Sequence, residues 1–472
     1  MSGTDRIGAH RDRLSNADSV LWTLDRDPLL RSSITAVIVF DREPPFAEVV
    51  RRFDGLCRRT HRFRSMVAPP PMPWDRPRWK EDPHFDVTTH VRHVRAAQPG
   101  DLRAVLDLAQ SMAPMAFDPT RPLWEAIAVD GVIGGKAALI MRVHHAVIDG
   151  VGGLLVAATM MDRDRAGHPL LEEGEEGLED TDGQPGRLGV AGSLIAGLVD
   201  APGHAVGAAC GLAAHPTDSV SRWLGVLGDA GRLVSPSPRP LSPVMTNRTT
   251  VRRYDTIEMG TGQMHGAAAA TGLTLNDLFV AGILRGLSLY HRRHGIDIAI
   301  ENVRAVMPVS TRRPGDPLES NRFVPVRIVL PIDLPDAGAY LRVVPDILRR
   351  WKHSEALGTS EFFSFVLDRL PASMTTLAMA TMLKGVDFVA TDVPGPPTDV
   401  YFAGAQVEAV YAFAPTAGAA LNVALVTLAD RLNVGVNIDV GAVPDHAVLV
   451  TSLTEGFAEV LEVARRSTEA TG

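Results

Sequence analysis

Residues 137–143 form an apolar run broken only by Arg142. They deliver two adjacent histidines, His144 and His145, to the segment Ala146-Val147-Ile148-Asp149-Gly150. The run fits a buried or half-buried strand, and the small apolar stretch from Gly150 to Met161 fits a packed helix. The pair therefore sits at a strand end, at the edge of whatever cleft that end faces. An imidazole held there can serve as a general base, and an aspartate four residues on can fix the local geometry. Gly150 is expected to let the backbone turn sharply.

A single core histidine is usually a hydrogen-bonded packing residue. Two histidines followed by Asp149-Gly150 are harder to explain that way. Neighbours in extended chain point to opposite faces, so His144 and His145 are not expected to reach one site together. This disfavours a metal site built from the pair and divides the roles, one histidine for chemistry and one structural.

Other catalytic templates fail on inspection. Gly286-Leu287-Ser288-Leu289-Tyr290 lacks the last glycine of a nucleophile elbow. Gly260 and Gly262 are followed by Gly266, one residue too late for a dinucleotide fingerprint. Gly135-Lys136 is followed by Ala137 where a phosphate loop needs Ser or Thr, and Asp130 stands at the position of its first glycine.

The 472 residues suffice for two domains. The net charge of −8 disfavours nucleic-acid binding. The two cysteines, Cys57 and Cys210, make no disulfide framework and fit a reducing cytoplasm. The polar segment 1–16 lacks the apolar core of a secretory signal. No run reaches the ~18 apolar residues of a spanning helix.

Strands are expected at 34–40, 124–129, 137–143, 305–309, 324–330, 421–427 and 432–438, and helices at 46–59 and 276–292. The segments 124–129 and 137–143 read as a hairpin across Gly134-Gly135. An acidic loop is expected at 172–182. A Gly/Ala-rich stretch at 188–214 reads as packed helices, or as a surface helix at a lipid interface. Closely spaced prolines at 235–243 read as a semi-rigid connector. The division is 1–180, 181–245 as connector, and 246–472. Strands and helices mixed in both halves imply an α+β or mixed α/β fold.

The pattern His-His-x-x-x-Asp-Gly at 144–150 resembles that of the bacterial wax ester synthase / diacylglycerol acyltransferase family, within the chloramphenicol-acetyltransferase-like and condensation-domain acyltransferases. Further segments resemble the family's motifs in the same order: Leu14-Ser15 with Asp18, Pro122-Leu123-Trp124, Asn276-Asp277, Pro308-Val309-Ser310 with Arg312, and Val393-Pro394-Gly395-Pro396. The chain departs from the family pattern at Thr391-Asp392 and at Thr427-Leu428-Ala429-Asp430.

The resemblance implies two similar sandwich-like halves with an active-site tunnel between them. It implies acyl-CoA as co-substrate with no further cofactor, and a lipid acceptor, diacylglycerol or a long-chain fatty alcohol. It also implies a cytoplasmic enzyme with peripheral contact to a membrane or lipid droplet. His145 would be the general base, without a covalent intermediate. Asp149 would orient it or, as is more usual in the superfamily, shape the turn by pairing with an arginine. His144 reads as packing support, Gly150 as backbone, and Trp124 as a core anchor. Asn276 and Asp277 read as support near the cleft, although Thr274-x-x-Asp277 also resembles a capping box. An acyltransferase acting on another hydroxyl or an amine, and a lipid-binding member without turnover, are the competing readings.

Overall fold

The computed structural model describes residues 13–70, 72, 75–171, 239–296, 302–310, 321, 323–353, 376, 380, 383 and 385–469. The acidic loop, the Gly/Ala-rich stretch, Cys210, Arg312 and the first residues of the proline-rich connector lie outside the described residues.

In chain order the described strands are β1 (Ser33–Phe40), β2 (Ser65–Ala68), β3 (Arg78–Glu81), β4 (Val91–Arg95), β5 (Trp124–Val132), β6 (Lys136–His144), β7 (Arg252–Gly260), β8 (Asn302–Ser310), β9 (Phe323–Pro331), β10 (Phe388–Val393), β11 (Tyr401–Phe402), β12 (Ala405–Phe413), β13 (Leu421–Leu428) and β14 (Arg431–Asp439). The helices are α1 (Asn16–Leu24), α2 (Phe46–Arg59), α3 (Leu102–Met112), α4 (Gly150–Met160), α5 (Thr261–Thr271), α6 (Leu275–Arg293), α7 (Ala337–His353) and α8 (His446–Glu469).

Two six-stranded sheets carry the fold. The first has the order β11-β12-β1-β6-β5-β4, the second β7-β14-β13-β10-β8-β9. The expected hairpin forms β5 and β6, paired antiparallel from Trp124↔Val143 onwards. Its turn uses Gly131, Gly134 and Gly135 at φ 69°, 80° and 74°, where L side chains are strained. β6 lies between β1 and β5, and this central position buries the run that ends at His144.

The division at residue 246 does not match the sheets. β11 and β12, from the second half of the chain, join the first sheet, where β12 pairs with β1 from Thr35↔Phe413. The strictly alternating burial of Ala405–Phe413 is the period-2 pattern of a strand covered on one face. β13 and β14 instead sit inside their sheet and are almost wholly buried, which explains their apolar sequences.

The first sheet packs α2 and the ring cluster Phe53, Phe63 and Trp124 on one face. Its other face packs Val105, Ala109 and Met112 of α3. Trp124 is the anchor expected: 1 % exposed, stacked on Phe53 at 5.4 Å, with its indole N–H donated to the Phe63 carbonyl at 2.7 Å. Arg142, which interrupts the apolar run, is buried against Glu125 at 2.7 Å, with the Phe117 ring 4.1 Å from its guanidinium. A buried arginine needs such partners.

The second sheet is backed by α6, buried from Asp277 to Ser288 and crossed by α8. Among the described helices none alone is long and apolar enough to cross a membrane. α5 and α6 together pass on length and composition but are bent by 104°. The core position of α6 accounts for its apolarity.

α6 and α8 approach through glycines. A Cβ on Gly286 would lie 2.6 Å from the Leu453 Cα, and one on Gly456 would lie 2.3 Å from the Gly286 nitrogen. Backbone cannot move aside as a side chain can. Gly286→Ala is therefore expected to destabilise the protein by about 2 kcal/mol or more, as read by chemical denaturation.

Candidate active site

β6 ends at His144 and α4 begins at Gly150, so the site is a five-residue turn at the end of a central strand. His144 is fully buried. Its Nδ1 accepts the Ala146 N–H at 3.0 Å, which puts its proton on Nε2, 3.5 Å from the Asp25 carboxylate. Trp22 and Phe117 meet its ring edge-on, at 5.7 and 6.1 Å. Burial pushes the Asp25 carboxyl up. His144, the Ser32 amide and Arg31 outweigh this and leave it below its ordinary value.

His145, the first residue past β6, meets different neighbours from those of His144. It is half-buried, with its ring 4.9 Å from that of Phe323, the first residue of β9. Its N–H donates to the Ser32 carbonyl at 2.6 Å and its own carbonyl accepts from Asn321 at 2.7 Å. Burial pushes the imidazole below its ordinary value of 6.5, and His144 adds to this. The Asp149 charge and the Asn321 amide oppose the shift without reversing it. A neutral imidazole at neutral pH is the form a general base requires.

Asp149 is buried and caps α4, its Oδ1 accepting the Gly152 N–H at 2.6 Å. It stands in extended backbone, φ −85° and ψ 173°, as N-cap residues do. The sharp turn is therefore made here and in the residues before it, and Gly150 has no positive φ. The expectation that Gly150 lets the backbone turn sharply is thus corrected. A Cβ there would meet only Val393 Cγ2, at 3.6 Å, an ordinary contact.

That contact brings the late Val393-Pro394-Gly395-Pro396 segment against the start of α4. Gly395 lies so close to β13 that a Cβ would fall 1.8 Å from the Thr427 carbonyl oxygen, and its N–H donates to the Thr427 hydroxyl at 2.7 Å. The departure at Thr427 thus places a hydroxyl against this turn.

Asp277 spends its carboxylate in a capping box with Thr274, accepting the Thr274 N–H at 3.0 Å. Asn276 beside it is half-buried. Among the described residues no hydrogen bond, ion pair or ring contact joins Asn276 or Asp277 to the His145 turn.

Among the described residues one histidine–carboxylate group gathers its ligand atoms closely enough for a cation: Glu43, His93 and Asp130. Asp130 lies six residues along β5 from Trp124, roughly 20 Å from the His145 end of the sheet. His144 and His145 belong to no such group.

Sequence reading did not single out Asn321, Arg62, Phe323 or Asp25 as site residues. Arg62, in a 3-10 segment, donates to the carbonyls of Ala146 and Val147 at 3.0 and 3.3 Å. Nothing local marks these residues, because each reaches the turn from a distant part of the chain.

The model of the wax ester synthase/diacylglycerol acyltransferase catalytic domain matches residues 14–279, and that of the family's C-terminal domain matches residues 319–461. The chain belongs to the wax ester synthase/diacylglycerol acyltransferase family. A protein of Mycobacterium tuberculosis named as a putative diacylglycerol O-acyltransferase is 31% identical over 459 residues, covering 96% of this chain and 92% of that one. The O-acyltransferase WSD of Acinetobacter baylyi is 25% identical, over 80% of this chain and 81% of its own.

Among solved structures, the wax ester synthase/diacylglycerol acyltransferase of Marinobacter aquaeolei VT8 superposes with a TM-score of 0.65 at 20% identity. It covers 96% of this chain and 99% of that chain. The first condensation domain of the CDA synthetase gives 0.58 at 17% identity, covering 97% of each. These two likenesses carry the fold, which is condensation-domain-like as expected. The protein is an acyltransferase of this family, and the His145 turn is its candidate active site.

The turn's geometry makes two stability predictions, both checked by denaturant unfolding. Asp149→Ala should cost about 1 kcal/mol through the lost helix cap, and Asp149→Asn less, since an amide oxygen still caps. Gly150→Ala should change stability by less than about 1 kcal/mol, because its backbone is ordinary and its neighbour leaves room.

Proposed function

We propose that this acyltransferase transfers the acyl group of acyl-CoA to diacylglycerol, a long-chain alcohol or both, with His145 as general base and no covalent intermediate. What supports this most is a neutral, half-buried imidazole on a rigid turn beside a buried carboxylate, in a chain of this family. The acceptor class is supported by the names that the relatives carry.

His145 takes the proton of the acceptor hydroxyl as that oxygen bonds to the thioester carbonyl carbon. The tetrahedral adduct then collapses, the carbon–sulfur bond breaks, and the imidazolium returns its proton to the leaving thiolate. Ester and free CoA result, and the base is regenerated. The balance requires no further cofactor. Holding both substrates in one site replaces a chance encounter with an oriented complex, and a water-poor site favours esterification over hydrolysis. Because the acceptors are insoluble in water, we infer that the cytoplasmic enzyme meets them at a membrane or lipid-droplet surface.

The test is release of free CoA from a long-chain acyl-CoA, with and without diacylglycerol or a fatty alcohol. Release should require an acceptor, and His145→Ala should lower kcat by roughly 100-fold or more. Acceptor-dependent release that survives the substitution would remove His145 as the base. The pH profile of kcat/KM gives a second check. A base held below its ordinary value stays unprotonated further into acid, so the acidic limb should fall below pH 6.5. A limb at or above that value contradicts the assignment.

A further inference from the structure

One buried group takes no part in the esterification steps. Asp18 is fully buried at the third position of α1, closing a capping box with Ser15. Its Oδ2 accepts from Arg62 Nη2 at 3.0 Å and its Oδ1 from Asn321 Nδ2 at 2.6 Å. Neither partner stops there. Arg62 Nη1 reaches the carbonyls of Ala146 and Val147, and Asn321 Nδ2 reaches that of His145 at 2.7 Å. Three consecutive carbonyl oxygens of the active-site turn are thus tied to one carboxylate, by one side chain from each half of the chain.

The orientation of the Asn321 amide follows from its surroundings. Reversed, its oxygen would face two acceptors, the Asp18 carboxylate and the His145 carbonyl, with no proton between them. The amide is 9 % exposed, so water cannot readily take its place. The peptide on the other side of His145 is held independently, by the Ser32 carbonyl of the first sheet. With both flanking peptides held, φ and ψ of His145 are fixed, and with them the direction of the Cα–Cβ bond from which its ring projects.

We propose that Asn321 is a positioning residue: anchored on Asp18, it fixes the His145 main chain from the second half of the molecule and so aims the imidazole at the reacting groups. This rests on the reading of His145 as the base. A base displaced by about 1 Å can lose on the order of 100-fold in rate, so a main-chain clamp is enough to matter.

The experiment uses the full chain and four forms: wild type, Asn321→Ala, Asn321→Leu and His145→Ala. Asn321→Leu keeps a similar volume without the donors, so it separates packing from hydrogen bonding. Measured are kcat and KM for a long-chain acyl-CoA with the acceptor, thermal unfolding, and titration of the His145 ring by histidine-selective NMR. Both Asn321 variants should lose on the order of 100-fold in kcat, with KM for acyl-CoA unchanged and the fold retained. Their His145 ring should titrate at lower pH than in wild type, because the amide opposes the effect of burial. Wild-type kcat and ring titration in both variants, beside an inactive His145→Ala, would overturn this inference and leave His145 as the base. Wild-type turnover in His145→Ala would overturn the base reading and this inference with it.

Discussion

A polar turn buried at the end of a central strand is the constraint around which the molecule is arranged. Residues 145–147 carry three carbonyl oxygens into a region that water does not freely reach. An unmet buried acceptor costs about 1–3 kcal/mol. Arg62 and Asn321 meet these oxygens, and both need a counterpart of their own. Asp18 supplies it, and it is tolerated in the interior only because Arg62, Asn321 and the cap at Ser15 together satisfy it. The first helix, the 3-10 segment after α2, the histidine turn and Asn321, two residues ahead of β9, therefore form one object.

The second constraint is the exchange of strands between the halves. β11 and β12 lie in the first sheet, while the strands on either side of this pair in sequence, β10 and β13, lie in the second. Close packing fixes the join. A Cβ on Gly435 of β14 would fall 2.2 Å from the Ala412 carbonyl oxygen of β12, and Tyr254 of β7 stacks on Phe413 at 4.1 Å. Arg103 of α3 adds an ion pair to Asp255 at 2.9 Å. Neither half is complete without the other, so Asn321 and Phe323 can be held against a histidine that belongs to the first sheet.

Much of this was legible from the chain alone. The helix at 46–59, the hairpin at 124–143 and the pair of late strands were read with boundaries close to those observed, because each has a clear period or a glycine turn. The helix at 276–292 was legible for the same reason, together with its capping box. β12 went unread although its burial alternates cleanly, because two of its less buried residues, Val410 and Ala412, are themselves apolar and blur the polar half of the pattern. β4 was missed for a different reason. Val91–Arg95 is an edge strand with exposed Arg92 and His93, and it has little apolar signal to read.

The order of motifs gave the family, and the opposed faces of successive residues separated the two histidines. Both follow from local spacing, which the sequence contains in full. Gly150 was expected to let the backbone turn sharply, whereas the bend is made ahead of it, by the helix cap at Asp149 and the residues before it. The clamp on the turn could not be read at all. Asp18, Arg62, Asn321 and His145 are separated by up to 303 residues, and their meeting depends on the strand exchange that closes the halves around them. Spacing along a chain specifies which residues share a face of one element. Which elements then share a buried charge is settled when the interior closes and its polar groups must find partners.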